Sequence, residues 1–169
     1  TNYIVDAKFC NDRSITDKTY NSGYKLSQHT FYSPYTRLSQ NTNKTATLKC
    51  SSDMRDQFST TSSRGNAKLT YPVALITADE VSLAGGKYKT KNENYYLRTN
   101  GYFWTMTPSC FPATYAFAYV FRVDPTGVLI HWSSVSLRMG VRAVINLRSD
   151  LLISSGDGTI ENPYTLKLQ

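Results

Sequence analysis

The apolar residues of this chain come in short runs, and turn-forming residues separate each run from the next. Five of these runs are rich in β-branched and aromatic side chains, which is typical of strands. They are residues 3–5, 73–76, 102–108, 116–123 and 141–147. No run approaches the roughly 18 apolar residues that a membrane-spanning helix needs. Neither a heptad nor a collagen-like glycine period is present. The pattern predicts a globular domain built mainly from short antiparallel strands.

One segment carries the signals of a helix instead. Thr77 and Glu80 have the spacing of a capping box, in which each side chain bonds the backbone amide of the other residue. Gly85 can supply the left-handed residue that ends a helix. We expect a helix of about two turns near residues 78–84, and capping explains its carboxylates better than acid–base catalysis does. Together these elements predict a single α+β domain over residues 1–169, loop-rich in residues 1–70 and with its core in residues 71–169.

The basic charge of the chain does not identify a nucleic-acid-binding protein. Lys and Arg number 19 against 12 Asp and Glu, which gives a net charge of +7, but both signs are spread along the whole chain. No helix-turn-helix, zinc-finger or RNP signature accompanies the basic residues. We therefore expect no nucleic-acid partner.

The cysteines Cys10, Cys50 and Cys110 lie too far apart in sequence for a local zinc motif, and only two histidines are present. We predict neither a metal site nor a cofactor. Cys10 and Cys50 have similar polar neighbours, which favours a disulfide between them; two buried free thiols are the alternative. Cys110 is then the unpaired cysteine.

Residues 109–139 have an unusual composition, because they contain no Lys, Glu, Gln or Asn. The other 138 residues contain 17 Lys, Glu and Gln, so about four would be expected here by chance. Burial explains part of this deficit, but the segment also contains turns, serines and arginines. A mixture of apolar and polar residues without a clear period is typical of an exposed binding surface.

A set of short segments, spread in order over nearly the whole chain, resembles a known domain. They include FCNDRS at 9–14, YFWTMTP at 102–108 and GVRAVINL at 140–147, with further matches at 48–50, 69–73, 75–80, 156–159 and 162–164. The domain is common in surface and pilin-like proteins of Gram-positive gut bacteria and their phages. One departure is Ala143, where the family usually has Pro, which puts the local rigidity in doubt.

The resemblance implies a C-type-lectin-like fold that binds a ligand. Some members are variable proteins of diversity-generating retroelements, which mutate adenines in a cassette rich in the Asn codons AAC and AAT. Such codons cannot become Lys, Glu or Gln, in agreement with the composition of residues 109–139. Trp132 and Met139 require a different starting codon, and both can arise from AAG.

The same resemblance implies a frame formed by residues 71–108 and 140–168, and a variable, ligand-binding face. Aromatic residues and arginines are expected to supply most of its binding energy. The face would take its residues from one loop, from the following hairpin and from the segment after it: Ser109, Cys110, Phe111, Pro112, Ala113, Thr114, Tyr115, Phe117, Arg122, His131, Trp132, Ser134, Ser136, Leu137, Arg138 and Met139.

The implied function is that of a surface-displayed adhesin or receptor-binding domain, not an enzyme. Its ligand would be a protein or glycan on a cell or phage surface. Its location would be extracellular, on a cell or on a virion, with an anchor outside this sequence. A fixed-specificity adhesin or a pilin head with a structural role is the main alternative.

Two further alternatives are less well supported by the residues. For an enzyme, Cys110 with His131 is the best available pair, since a thiolate beside a histidine can attack a carbonyl. The implied fold family includes formylglycine-generating oxidases, but these need paired cysteines in a setting that the sequence does not show. A calcium-dependent lectin needs Glu-Pro-Asn and Trp-Asn-Asp motifs, which do not occur. The sequence Gly-Asp-Gly at 156–158 fits a tight turn better than a calcium loop.

Overall fold

The computed structural model describes residues 3–16, 29–40, 45–50, 56–63, 67–112, 117–159 and 161–169. Strands account for most of its regular structure. In chain order they are β1 (Ile4–Val5), β2 (Phe9–Cys10), β3 (Ile15–Thr16), β4 (His29–Tyr32), β5 (Gln57–Phe58), β6 (Ala74–Leu75), β7 (Phe103–Pro112), β8 (Tyr119–Val123), β9 (Leu129–Ser134), β10 (Ala143–Val144), β11 (Asn146–Leu147), β12 (Leu151–Ser155) and β13 (Thr165–Leu168).

The largest sheet has five antiparallel strands in the order β3–β4–β7–β8–β9. Four pairs of shorter strands surround it: β1 with β11, β2 with β5, β6 with β10, and β12 with β13. The sheet is centred on β7, in which buried and half-buried residues alternate from Phe103 to Pro108. This period of two is what a strand with one face on the core requires.

The prediction of an α+β domain with a C-type-lectin-like arrangement is wrong. The structure is mostly β, with 39% strand and 11% helix. Helix α1 (Ser33–Tyr35) has only three residues before it continues into a π-type turn at Thr36–Gln40, and α2 (Ala78–Leu83) has six. The capping box specifies where α2 begins, but no apolar pattern with a period of about 3.6 residues follows to lengthen that helix. In β7, by contrast, the alternation of buried and half-buried residues is typical of a strand.

The predicted helix at residues 78–84 is confirmed as α2, together with its capping box. The Glu80 amide donates to Thr77 Oγ1 at 3.1 Å, and the Thr77 amide donates to Glu80 Oε2 at 2.7 Å. The Ala78 amide donates to Thr107 Oγ1 at 2.9 Å, which joins α2 to the middle of β7. Within the described residues, no helix is long and apolar enough to cross a membrane.

The hairpin expected within residues 109–139 is confirmed as β8 and β9. Its turn is closed by Asp124, whose Oδ1 accepts from the amides of Thr126 and Val128 at 2.8 and 3.1 Å. Gly127 has a φ of +78°, and a Cβ at this position would lie 2.4 Å from the Asn92 carbonyl oxygen. Both the backbone conformation and the space therefore require glycine here.

The strand predicted to end at Pro108 continues to Pro112. Pro108 cannot donate a hydrogen bond, and the pairing of β7 with β8 shifts register on either side of it. Prolines are tolerated within sheets at such irregularities. The extension matters for function, because it places residues 109–112 on a strand and not in the expected loop.

The N-terminal part of the chain is tied to the rest by covalent and ionic links. A disulfide joins Cys10 to Cys50, with their Cα atoms 4.9 Å apart. Close by in sequence, Arg13 Nε donates to the nearly buried carboxylate of Asp56 at 2.6 Å.

Candidate binding face

The sheet beneath the predicted face is closely packed on its inner side. Phe103, Val123 and Leu129 form one row across β7, β8 and β9, and all three are buried. Thr105 lies in the same layer and donates from its hydroxyl to the Phe121 carbonyl at 2.8 Å. A buried threonine is tolerated because its hydroxyl is paired. This buried row and Thr105 form the packed base of the sheet.

The structure places Ser109, Cys110, Pro112 and His131 in the interior. They were expected on the ligand-binding face, but they belong to the packed layer beneath it. Cys110 is 1% exposed, because its side chain points into the core formed with Phe31 and its neighbours. Ser109 and Cys110 are adjacent and both buried, because the alternation of β7 is interrupted where its pairing with β8 shifts register between Pro108 and Cys110.

Burial also sets the protonation of the two chemically reactive side chains. Burial raises the pKa of the Cys110 thiol to about 12, although the neighbouring Ser109 side chain slightly opposes the shift. Burial, with a smaller contribution from the charge of Lys89, lowers the pKa of His131 to about 3. At neutral pH the thiol is protonated and the imidazole is uncharged.

His131 lies among aromatic rings. Its centroid is 4.6 Å from that of Tyr35 in an edge-on arrangement and 4.9 Å from that of Tyr88. The Phe121 ring, at 6.3 Å, contacts it from the sheet. This environment is that of a core aromatic residue and excludes contact with a ligand on the surface.

A second group of the predicted residues is exposed at one end of the sheet. Phe111, Phe117 and Leu137 are 39%, 48% and 48% exposed. Cys110 pairs with Tyr119, so Phe111 lies beside residue 118. The amide of Val135 donates to the carbonyl of Ala118 at 3.1 Å, which brings the end of β9 to the same place.

We call this surface the sheet-end patch. The segment after β9 completes it by turning back, because the Leu137 amide donates to the Ser134 carbonyl at 3.1 Å and the hydroxyl oxygens of Ser134 and Ser136 lie 2.8 Å apart. The patch consists of Phe111, Phe117, Val135, Ser136, Leu137 and Arg138, all exposed.

Trp132 and Ser134 are half-buried at the border of the sheet-end patch. Trp132 has a φ of +68°, which is rare for a non-glycine residue. The pairing of β8 with β9 is irregular between Val120 and Arg122, opposite this position. The indole packs against the Tyr119 ring with centroids 5.4 Å apart. The irregularity therefore lies opposite an aromatic side chain that packs against Tyr119 and the core cluster.

Arg122 and Met139 lie away from the sheet-end patch. The Arg122 guanidinium stands 4.5 Å above the centre of the Tyr102 ring, and Arg122 pairs with Trp104 near the other end of β7. Met139 precedes Gly140, whose amide donates to the Tyr102 carbonyl at 2.9 Å. These two residues form a separate group around Tyr102. Ala113, Thr114 and Tyr115 lie outside the described residues.

Sequence reasoning missed three residues at these surfaces. Val135 is 54% exposed, more than Phe111, Phe117 or Leu137. Tyr119 supports Trp132, and Tyr102 is exposed beside Arg122. Val135 and Tyr119 lie within residues 109–139, so the compositional signal included them. Nothing local in the sequence linked Tyr102 to Arg122, because their contact depends on strand pairing.

The carboxylate in the Gly-Asp-Gly segment belongs to a turn. Asp157 Oδ1 accepts from the amide and the hydroxyl of Thr159 at 3.0 and 2.7 Å. These hydrogen bonds lower the pKa of Asp157 below its usual 3.8. In the part of the chain that the structure describes, no three His, Cys, Asp or Glu side chains are grouped to hold a metal ion.

Comparison with protein-family models, curated proteins and solved structures found no match to this chain. The site must therefore be interpreted from its own geometry and chemistry.

Proposed function

We propose that this chain is a surface-displayed ligand-binding domain whose sheet-end patch is diversified by the adenine-directed mutagenesis of a retroelement. The observation that carries the proposal is the exposure of Phe111, Phe117 and Leu137 together at one end of a well-packed sheet. Exposed aromatic and aliphatic groups beside serines and an arginine have the composition of protein-binding surfaces. The ligand would be a protein or a glycan on a cell or phage surface.

The residues of the sheet-end patch are exposed and the layer beneath them is buried, and this separation supports a diversified face. Side chains of the sheet-end patch point away from the core, so exchanges there cost little folding free energy. The neighbouring Cys110 and His131 are buried, and exchanges there would disturb packing. A domain of this kind can vary its contact surface while its frame is kept.

The protonation of Cys110 and His131 favours binding over catalysis. A nucleophilic cysteine requires a thiolate, and a thiol with a pKa of about 12 supplies almost none at neutral pH. An imidazole with a pKa of about 3 does not form the imidazolium that would stabilise such a thiolate. A formylglycine-generating type of enzyme is accordingly the weaker proposal.

The disulfide between Cys10 and Cys50 supports an extracellular location. Disulfides persist in oxidising compartments and are rare in the cytosol. Display on a cell or virion surface is part of the same proposal.

The decisive experiment is deep sequencing of the gene across a population of the source organism or phage. We expect substitutions at the codons for Phe111, Phe117, Ser136, Leu137 and Arg138, at positions that are adenine in the unmutated cassette. Residues 71–108 and 140–147 should be constant and serve as the internal control. If residues 109–139 are as constant as these flanks, the retroelement proposal is wrong, and a fixed-specificity adhesin or pilin head becomes the better account.

A further inference from the structure

The loop that leads into β7 contains a chemically labile pair of residues. Gly101 follows Asn100, and this is the one place in the sequence where glycine follows asparagine. Both residues are exposed and lie in a bend just before β7 begins at Phe103. Asparagine is a thermolabile residue type, because its carboxamide can react with the neighbouring backbone. The surroundings of Asn100 decide whether that reaction is open here.

The attacking atom in such a reaction is the amide nitrogen of the next residue, and the Gly101 nitrogen is free to attack. Among the described residues, none accepts a hydrogen bond from this amide. The Gly101 carbonyl accepts from the Thr99 hydroxyl at 2.9 Å, which leaves the nitrogen unengaged. A Cβ on Gly101 would meet no described residue beyond its chain neighbours within 4 Å. Glycine also gives the backbone the greatest conformational freedom, so both access and flexibility favour the reaction.

A nearby asparagine, Asn94, has the opposite arrangement. It is also exposed, but the amide of Tyr95, the next residue, donates to the Asn92 carbonyl at 3.1 Å. The Tyr95 side chain is 3% exposed, so the core holds this residue in place. The Tyr95 nitrogen cannot turn toward the Asn94 carboxamide unless this hydrogen bond breaks. Exposure of an asparagine is therefore not sufficient for the reaction.

The pair Asp157 and Gly158 has the same backbone but is held by its turn. The Gly158 amide donates to the Asn162 carbonyl at 3.2 Å, and Asp157 Oδ1 accepts from the Thr159 amide at 3.0 Å. Both groups that the reaction needs are thus engaged. This turn offers an internal reference for a glycine whose nitrogen is protected.

We propose that Asn100 is a site of spontaneous deamidation, through which the folded protein gains a carboxylate with time. The Gly101 nitrogen forms a bond to Cγ of Asn100 and loses its proton, while the bond from Cγ to Nδ2 breaks and ammonia leaves. Water then opens the resulting succinimide at either of its carbonyls, which gives aspartate or isoaspartate. Each event lowers the net charge of +7 by one unit. The isoaspartyl product also routes the main chain through the side chain just before β7.

The proposal is independent of the function proposed for the sheet-end patch, because Asn100 lies in the frame and no codon records the change. It is tested by incubating the unaltered protein in mildly alkaline buffer and mapping its tryptic peptides by mass spectrometry. Trypsin separates Asn100, in residues 99–122, from Asn92 and Asn94, in residues 92–98. We expect the 99–122 peptide to gain the mass of an amide-to-acid exchange and to divide into two chromatographic peaks. The 92–98 peptide should stay unchanged.

Two variants separate the effect of the structure from that of the sequence. Gly101→Ala has room for its Cβ, which should hinder the attack and slow deamidation by about tenfold or more. Asp157→Asn creates a second asparagine–glycine pair in the engaged turn. In the folded protein this pair should react about tenfold or more slowly than Asn100, because its turn must first open. In denaturant the two pairs should react at the same rate.

Two results would overturn the proposal. One is a 99–122 peptide that stays as constant as the 92–98 peptide, and the other is equal rates for the two asparagine–glycine pairs in the folded protein. The first result is measured on the unaltered protein, so a folding defect in a variant does not affect it. The rate of Asp157→Asn in denaturant shows that the new pair is chemically competent, so its slow reaction in the folded protein is assigned to the turn.

Discussion

Arg37 binds both carboxylate oxygens of Asp79, with Nη2 at 2.8 Å from Oδ1 and 2.7 Å from Oδ2. Its Nη1 donates to Asp12 at 2.7 Å, so one guanidinium joins the π-type turn, α2 and the N-terminal segment. The Arg37 side chain is only 18% exposed and that of Asp79 only 6%. The ion pairs are thus shielded from water.

The first prediction concerns this ion pair. Arg37→Met replaces the guanidinium with an apolar side chain of similar length, so the Asp79 carboxylate is left buried without its cation. We expect the free energy of unfolding to fall by about 3 kcal/mol, the usual cost of removing one partner of a buried pair. Urea unfolding measures it. The control is Arg148→Met, which breaks the exposed pair with Asp150; an equal loss in both variants would contradict the prediction.

The second prediction is a dependence of stability on pH that comes from His131. Its pKa is about 3 in the folded protein against 6.5 in the unfolded chain. Protons therefore bind the unfolded state first, so this stability is complete above pH 6.5 and is lost as the pH falls toward 3. Between pH 6.5 and pH 5 we expect a loss of about 2 kcal/mol, at about 1.4 kcal/mol for each pH unit.

The variant His131→Phe tests the origin of that dependence. A phenyl ring can occupy the same aromatic surroundings beside Tyr35 and Tyr88 and does not titrate. Its unfolding free energy should be nearly constant from pH 6.5 to pH 5. A variant with the same slope as the unaltered protein would assign the effect to other groups.

The third prediction concerns the turn between β8 and β9. Gly127→Ala combines a positive φ with a Cβ that would lie against the Asn92 carbonyl oxygen. We expect a loss of at least about 1 kcal/mol from the backbone strain alone. Gly101→Ala is the matched control, because a Cβ there meets nothing within 4 Å. Thermal unfolding of both variants distinguishes local strain from a general sensitivity to substitution.

The fourth prediction concerns the disulfide. Cys10 and Cys50 are 40 residues apart, and closing a loop of this length stabilises a protein by about 4 kcal/mol in the chain-entropy model. The double variant Cys10→Ser with Cys50→Ser should lose stability of this order in denaturant unfolding. A reducing agent should lower the stability of the unaltered protein by the same amount and leave the stability of the double variant unchanged. A further loss of stability in the reduced variant would point to another reducible bond.

The fifth prediction is that Cys110 is inert in the folded state. The thiol is 1% exposed and its pKa is about 12. Iodoacetamide should label it at least about 100-fold more slowly in the native protein than in denaturant, because only the thiolate reacts. Mass spectrometry counts the labelled thiols. Rapid labelling of the native protein would revive an enzymatic role for this residue.

Local signals in the sequence predicted local structure well. Thr77 and Glu80 predicted the start of α2, and both hydrogen bonds of the capping box are present. The turn residues between β8 and β9 predicted their hairpin. Each of these elements is specified by neighbours in the sequence, so no knowledge of the tertiary structure is needed.

Features that depend on strand pairing were not accessible in the same way. Thr30 pairs with Phe111, and nothing in either segment predicts the contact. That pairing extends β7 beyond Pro108, buries Cys110 and leaves Phe111 exposed, so two adjacent residues predicted for one face have opposite environments. The hydrogen bond of Asn11 was also invisible, because its Nδ2 donates to the Met106 carbonyl, 95 residues away.

The bond between Cys10 and Cys50 also determines how this protein responds to a protease. A single cut anywhere between these two residues leaves two polypeptides that are still covalently joined. The nicked protein would migrate as one species on a non-reducing gel and as two on a reducing gel. Cleavage in the N-terminal third of the chain would thus release neither fragment.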